Sequence, residues 1–184
     1  MKTKPIFESE ATETLTAANT MTTSLIQELV NNYRNNHMLA INSKLQITDA
    51  HSIWFDLPKL KKFIADIETE AQKVNPDATE NDLGIRFYYA AYPKLENWDV
   101  MDSHPVPTEY AEKHTLIMVP TLKSENEQGE LLDYDFNPLN QSNGQMSAMA
   151  FKSSNADDDP EDDESLAQNH GQLIPPATPV VQMY

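Results

Sequence analysis

Residues 84–92 read GIRFYYAAY, and this stretch decides the fold because it is the clearest strand signal in the chain. Aromatic and β-branched residues favour strands, and successive side chains of a strand point to opposite faces. Both faces carry aromatic bulk here, so we expect this strand to be central or well covered. Pro93 follows it and predicts its end, because proline cannot donate to a hydrogen-bonded ladder.

Three more strands are predicted, one before this stretch and two after it. Residues 115–119 read TLIMV, a continuous apolar run that suits a buried strand and is closed by Pro120. Residues 131–136 predict an edge strand, and residues 52–55, SIWF, predict a short strand or an extended lead-in. The connection at 93–112 holds three prolines, and a loop of this length is often functional.

Two helices are predicted before residue 84, each from apolar residues spaced three and four apart. The more regular one spans 56–74, with Asp56 as its cap, Pro58 in its first turn and Asn75-Pro76 as its end. The other begins at Thr22 or Thr23, and a run of asparagines weakens its far end, where residues 38–41 extend it or start a new turn. Its apolar stripe consists of Leu25, Ile26, Leu29, Val30 and Tyr33.

The order of these elements favours an α+β fold: a small, mainly antiparallel sheet of three to four strands with two helices, flanked by disordered tails. We expect a disordered arm at 1–20, a single domain at 21–139 and an acidic, Pro-containing disordered tail at 140–184. The apolar end of that tail, residues 173–184, suggests a segment that docks in a groove of another protein.

The charge and composition of the chain narrow its partners. It has 29 acidic and 13 basic residues, a formal net charge of −16, and no cysteine. The acidic field disfavours nucleic acid and anionic membrane surfaces as partners. It favours a basic protein or a cation, or it serves only to keep the chain soluble. The lack of cysteine excludes disulfides and thiolate metal sites. With no signal-peptide core at the N-terminus and no long apolar run, we expect a cytoplasmic protein. We also predict no cofactor.

Several short motifs occur in a fixed order along the middle of the chain. They are SIWF at 52–55, FI at 63–64, GIRFY at 84–88, YP at 92–93 and VPT at 119–121, with NHG at 169–171 and PP at 175–176 near the end. This set resembles a group of short, uncharacterised bacterial proteins of the Bacteroidetes type. Members of that group often carry cysteine near the end, and this chain has none. The resemblance implies no known activity and no catalytic residues.

The histidines and acidic residues do not form a metal motif in the sequence. No two of the five histidines are four residues apart. His104 and His114 flank the end of the long loop and could meet Asp99 or Asp102 in space. Surface positions explain these residues better, so we predict no metal site.

The candidate ligand-binding residues are Arg86, Tyr88 and Tyr92, which the strand period places on one face. A guanidinium beside two phenols can bind a carboxylate or phosphate, and the rings can stack on a planar ligand. The alternative is structural: the arginine covers apolar surface and the tyrosines pack against a helix.

Two functions remain open from the sequence. The first is a non-catalytic protein-interaction or regulatory module, with a protein partner or self-association through a stripe such as Leu25, Leu29 and Tyr33. The second is a small-molecule-binding protein or enzyme that uses Arg86, Tyr88 and Tyr92, with the loop at 93–112 as a lid. Whether the chain is an enzyme is left undecided, because active sites often assemble from distant residues.

Overall fold

The computed structural model describes residues 20–137, 139 and 165–177, and over these residues the chain has the predicted α+β class. Short 3₁₀ helices lie at Glu80–Asp82, Leu95–Met101 and Thr108–Tyr110. The main elements are α1 (Thr23–Asn32), a π-helical turn (Tyr33–Met38), α2 (Leu39–Leu45), β1 (Ser52–Trp54), α3 (Leu57–Val74), β2 (Leu83–Ala91), β3 (His114–Glu125), β4 (Leu131–Asp135) and β5 (Gln172–Ile174).

Helix α3 forms where the sequence predicts it. The Asp56 carboxylate accepts a hydrogen bond of 3.1 Å from the Lys59 backbone N–H, which caps the helix, and a proline occupies its first turn. The helix buries Phe63, Ile67 and Ala71, which lie on one face at spacings of four. These three side chains pack on the main sheet, where they join buried clusters with Met118 and Leu122.

The main sheet is antiparallel, with strand order β2-β3-β4. In the register of β2 and β3, Phe87 lies opposite Met118 and Leu83 opposite Leu122. Met118 packs with Phe63, while Leu122 joins a second buried cluster around α3. β3 is therefore the buried centre of the sheet, as its apolar run predicts, and β4 is an edge strand.

The expectation that β2 is central or well covered is wrong. Among the described residues β2 pairs only with β3, so it is an outer strand. Phe87 is 50% exposed and Tyr89 is 92% exposed. Aromatic residues favour extended backbone whether or not both faces are covered, so their presence on both faces predicted the strand but not its place in the sheet.

The assignment of all of 140–184 to a disordered tail is corrected for residues 165–177. β5 pairs antiparallel with β1, and Leu173 is fully buried against Ala50, Tyr92 and Tyr110. Gly171 lies so close to β1 that a Cβ there would be 2.3 Å from a methyl carbon of Ile53. The polar composition of the region concealed an apolar strand whose partner is more than a hundred residues away in sequence. The other tail residues, 140–164 and 178–184, and residues 1–19 of the arm lie outside the described residues.

The N-terminal helix runs from Thr23 through the π-helical turn to Leu45, and none of its residues is buried. The Thr22 hydroxyl accepts a hydrogen bond from the Leu25 backbone N–H, so the predicted cap is confirmed. The π-helical turn falls where the asparagines were expected to weaken the helix, and such turns are frequent at functional sites. In the described part of the chain, none of the helices is long and apolar enough to cross a membrane.

Candidate functional site

A cavity of about 430 Å³ lies between the π-helical turn, the start of β1 and the adjoining ends of β2 and β3. We call it the histidine cavity, because three of the five histidines of the chain line it. Its apolar wall is made of Ile41, Ala50, Ile53 and Leu116, and its polar and aromatic lining of Tyr33, His37, His51, Ser52, Tyr89, His114 and Thr115.

The best-defined polar contact at this cavity joins His114 to Asp49. The side chain of Asp49 is completely buried, and its Oδ2 lies 2.5 Å from His114 Nδ1. Its Oδ1 accepts hydrogen bonds of 2.8 Å from the backbone N–H groups of Ala50 and His114. A carboxylate only accepts hydrogen bonds, so Nδ1 of His114 carries the proton and its Nε2 is the nitrogen that can accept one. A buried carboxylate that orients a histidine in this way is the arrangement that general-base histidines use.

His51 is held in the opposite tautomer by Arg34. The Arg34 guanidinium lies 3.2 Å from Nδ1 of His51, and because a guanidinium only donates, Nδ1 accepts and Nε2 carries the proton. Burial and the Arg34 charge both lower the pKa of His51 below its ordinary value of 6.5, with burial the larger cause. The ring is therefore neutral at pH 7, and its remaining nitrogen is a hydrogen-bond donor.

The π-helical turn supplies two further side chains, Tyr33 and His37, to the cavity lining. Tyr33 and His37 lie four residues apart on this turn, and their nearly parallel rings stack with centroids 6.1 Å apart. Burial, and then the nearby Asp49 and Tyr89, raise the pKa of Tyr33 above its ordinary value of 10.0. Tyr33 thus keeps its phenolic proton at neutral pH and is a second donor at the cavity.

The arrangement combines opposite proton-transfer roles around one space. His114 offers an acceptor nitrogen, while His51 and Tyr33 offer donors. Groups of this kind, held at fixed tautomers beside an apolar wall, suit general acid–base catalysis on a bound molecule.

The residues proposed from the sequence, Arg86, Tyr88 and Tyr92, do not form one binding surface. The Arg86 guanidinium and the Tyr88 hydroxyl both donate to the Asp135 carboxylate, and Arg86 also donates to the Asp133 backbone carbonyl at 2.8 Å. Tyr92 lies beyond the end of β2 and is buried, with its ring centroid 5.6 Å from that of Tyr110. The first two are therefore satisfied within the sheet, and the third is part of the core.

The convergence considered for His104, His114 and the loop aspartates does not occur either. His104 Nδ1 lies 3.0 Å from the hydroxyl of its neighbour Ser103, and His114 contacts Asp49 instead. Over residues 20–137, 139 and 165–177, no three histidine or carboxylate side chains are placed to hold a metal ion.

Sequence reasoning missed most of the histidine cavity because its parts are far apart in the chain. Asp49 and His114 are 65 residues apart, and no spacing rule joins them. One local signal was present: Asp49 lies two residues before His51 and three before the predicted strand at 52–55, and a carboxylate that becomes buried there needs a hydrogen-bonding partner.

Among the described residues, a cavity of about 240 Å³ near His104 has that histidine as its only ionisable side chain, and a third cavity has none of this chemistry. The space between α3 and β2, about 330 Å³, is lined mainly by apolar residues, with Glu68 and Glu80 as its only ionisable side chains. It offers no histidine, tyrosine or arginine to a ligand. The histidine cavity is therefore the stronger candidate.

The resemblance to short bacterial proteins over residues 50–122 stays a prediction. No protein-family model matches the chain, no curated protein matches it, and no solved structure matches it. Its function has to be inferred from the chemistry of the site.

Proposed function

We propose that this chain is a small-molecule-binding protein whose site is the histidine cavity, and that the site transfers protons to and from its ligand. The observation that carries this is a pair of histidines held in opposite ways at one cavity: Nδ1 of His114 donates to the Asp49 carboxylate, and Nδ1 of His51 accepts from the Arg34 guanidinium. This is the second function that the sequence left open, a ligand site, but its residues are those of the histidine cavity and not Arg86, Tyr88 and Tyr92.

The lining defines the class of ligand. At about 430 Å³ the cavity lies in the range that holds small organic molecules. Ile41, Ile53 and Leu116 suit an apolar portion, and the donors suit a carbonyl or carboxylate oxygen. We therefore favour a small carbonyl compound with an acidic C–H bond next to the carbonyl.

The proton transfer follows from the two tautomers. His114 Nε2 takes a proton from the carbon next to the carbonyl group; the C–H bond electrons form the C=C bond of an enolate, and the C=O π electrons move to the oxygen. His51 Nε2–H donates a hydrogen bond to that oxygen where negative charge develops. Return of the proton to carbon completes an exchange or an isomerisation, with no net change in oxidation state.

The test is thermal unfolding of the full chain with a panel of keto acids, keto sugars and simple dicarboxylates. A compound present at 100 times its dissociation constant stabilises a protein by about 2.7 kcal/mol, a shift of several degrees for a chain of this size. In His114→Asn the amide can keep the contact with Asp49 but lacks the Nε2 acceptor. We expect it to bind the ligand but to lose ligand deuteration in D₂O, measured by NMR.

His104→Asn is the matched control, because His104 lies outside the histidine cavity and contacts Ser103. It is expected to retain both binding and deuteration. A chain that unfolds cooperatively but shows no shift with any compound of the panel contradicts the proposal.

A second candidate, the protein-interaction module, is favoured by the surface of α1. Leu25 and Leu29 are 43% and 51% exposed and adjoin on one helix face, while Tyr33 of the same stripe turns to the cavity. An amphipathic helix with an uncovered apolar face can dock in a groove of another protein. A Leu25→Ser/Leu29→Ser double variant should then lose a partner that the wild type and a Leu57→Ser variant, altered at an exposed leucine of α3, both retain.

A further inference from the structure

Over residues 20–137, 139 and 165–177, the outer side of β2 is an open strand edge. β2 spans the nine residues Leu83–Ala91, and within the described parts of the chain only β3 pairs with it. An unpaired strand of this length offers a row of backbone donors and acceptors to another strand.

The hydrogen bonds on the far side of β3 show which backbone groups of β2 face this open edge. Met118 exchanges both of its backbone hydrogen bonds with Gln168, at 2.8 and 3.0 Å, on the side away from β2. Its neighbour on β2, Phe87, therefore forms no hydrogen-bonded pair with it. Pairs alternate along an antiparallel ladder, so Ile85, Phe87 and Tyr89 direct their N–H and C=O groups outward.

The usual protections of an edge strand are missing here. Natural edges carry proline, lysine or a bulge that blocks pairing. β2 has no proline or lysine, and its one charged residue, Arg86, is engaged by Asp135. Instead it exposes Phe87 at 50% and Tyr89 at 92%. Exposed aromatic residues on a free edge are typical of a surface that pairs with another strand.

We propose that β2 pairs antiparallel with β2 of a second copy of this chain, with the two-fold axis at Phe87, so that two three-stranded sheets become one of six strands. This register uses the outward-facing groups: Phe87 pairs with the partner's Phe87, and Ile85 with the partner's Tyr89. On the other face, Arg86 comes to lie beside the partner's Tyr88, an attractive cation–aromatic pair.

Charge favours a second copy over an unrelated strand. The chain carries −16 overall, yet β2 itself has a single charge, which Asp135 neutralises, so two copies do not repel each other there. Glu80 and Asp82 come just before the strand and Lys94 just after it. An antiparallel pairing about Phe87 brings Glu80 of each copy toward Lys94 of the other. The surface is thus complementary to itself, as a closed two-fold interface requires.

The first test is the solution mass of the full chain, measured by light scattering across a range of concentrations. The wild type is expected to reach twice the mass of the 20.8 kDa chain, with a concentration-dependent midpoint. Phe87→Lys places two like charges opposite each other at the axis and should give a monomer. Leu131→Lys makes the same change at a 67% exposed position on the other edge strand, β4, and should remain a dimer.

The second test fixes the register and does not depend on how well Phe87→Lys folds. The chain has no cysteine, so a single Phe87→Cys creates a unique pair across the axis. Opposed Cα atoms in a hydrogen-bonded pair are about 5.5 Å apart, within the range that a disulfide spans. We expect rapid cross-linking under mild oxidation and none with Leu131→Cys.

A wild-type chain that is monomeric at every concentration overturns the proposal, as does a dimer that Phe87→Lys leaves intact or equal cross-linking of both cysteine variants. Tyr89 lies both on this edge and in the lining of the histidine cavity, so the two proposals are distinguished by measuring ligand binding in the monomer as well as in the dimer. Ligand binding in the histidine cavity is read from thermal shifts of the monomeric Phe87→Lys variant as well as of the wild type.

Discussion

Two aspartates organise this protein in opposite ways. Asp49 and Asp135 each tie together residues that are distant in sequence, His114 in the first case and Arg86 with Tyr88 in the second. The side chain of Asp49 is fully buried, and it leaves one nitrogen of His114 available at a cavity. Asp135 is 15% exposed and uses the donors of both its partners. Arg86 and Tyr88 were candidates from the sequence, but both are bound to Asp135. Asp49 was not a candidate, yet it positions His114 at the cavity.

The largest expected difference between these two centres is in stability. Asp49→Ala leaves the buried N–H of Ala50 and that of His114 without an acceptor and removes the contact with the His114 ring. Each unsatisfied buried group costs about 1–3 kcal/mol, so the free energy of unfolding should fall by about 3 kcal/mol or more. Urea denaturation followed by circular dichroism measures this.

Asp135→Ala is the matched substitution at the other centre. Arg86 is 41% exposed and can be solvated when its partner is removed, so the loss should be no more than about 1 kcal/mol. If the two variants lose equal free energies of unfolding, the buried contacts of Asp49 stabilise the fold no more than the exposed contacts of Asp135.

The same comparison marks what the sequence could and could not predict. Helix α3 was predicted at both ends, because Asp56 and Asn75 are local signals that act on their own neighbours. The strand at β2 was predicted too, but its outer position was not, since the period of a strand does not say what lies beside it.

The parts that failed depend on partners far along the chain. Leu173 is buried against Tyr92 and Tyr110, so its burial is fixed by residues about 60 to 80 positions away and not by its polar neighbours. Asp49 meets His114 only because β3 begins beside the loop that precedes β1. The candidate set Arg86, Tyr88 and Tyr92 was drawn from one strand, where spacing is readable, and the structure assembles its cavity from four separate segments.

A smaller effect should appear in the pH dependence of stability. The pKa of His51 is lower in the folded chain than its ordinary value of 6.5, so the unfolded chain binds more protons as the pH falls below about 7. This contribution to stability is complete above the unfolded pKa and is lost as the pH falls toward the folded one. His51→Gln removes it.

The measurement is the denaturation midpoint of wild type and His51→Gln between about pH 8 and pH 5, the interval in which histidine titrates. The wild type should lose stability more steeply than His51→Gln on going to low pH. Asp135→Asn should keep the wild-type slope, because the partners of Asp135 are Arg86 and Tyr88, neither of which titrates between pH 8 and pH 5. Parallel curves for wild type and His51→Gln would mean that Arg34 and burial do not hold His51 neutral.

The smallest expected effect is that of Arg86→Ala, which tests whether the ligand binds near Asp135 or in the histidine cavity near Asp49. Arg86→Ala removes the residue that the sequence placed at the heart of a binding face, but its guanidinium is already engaged by Asp135 and the Asp133 carbonyl. We expect a stability loss of no more than about 1 kcal/mol and unchanged ligand affinity, measured by calorimetry with whichever panel compound binds. If affinity instead falls as strongly in Arg86→Ala as in a Tyr33→Phe variant of the cavity, then the ligand contacts the strand face. Asp135 would in that case be a competitor that the ligand displaces, since Arg86 cannot give the same donors to both.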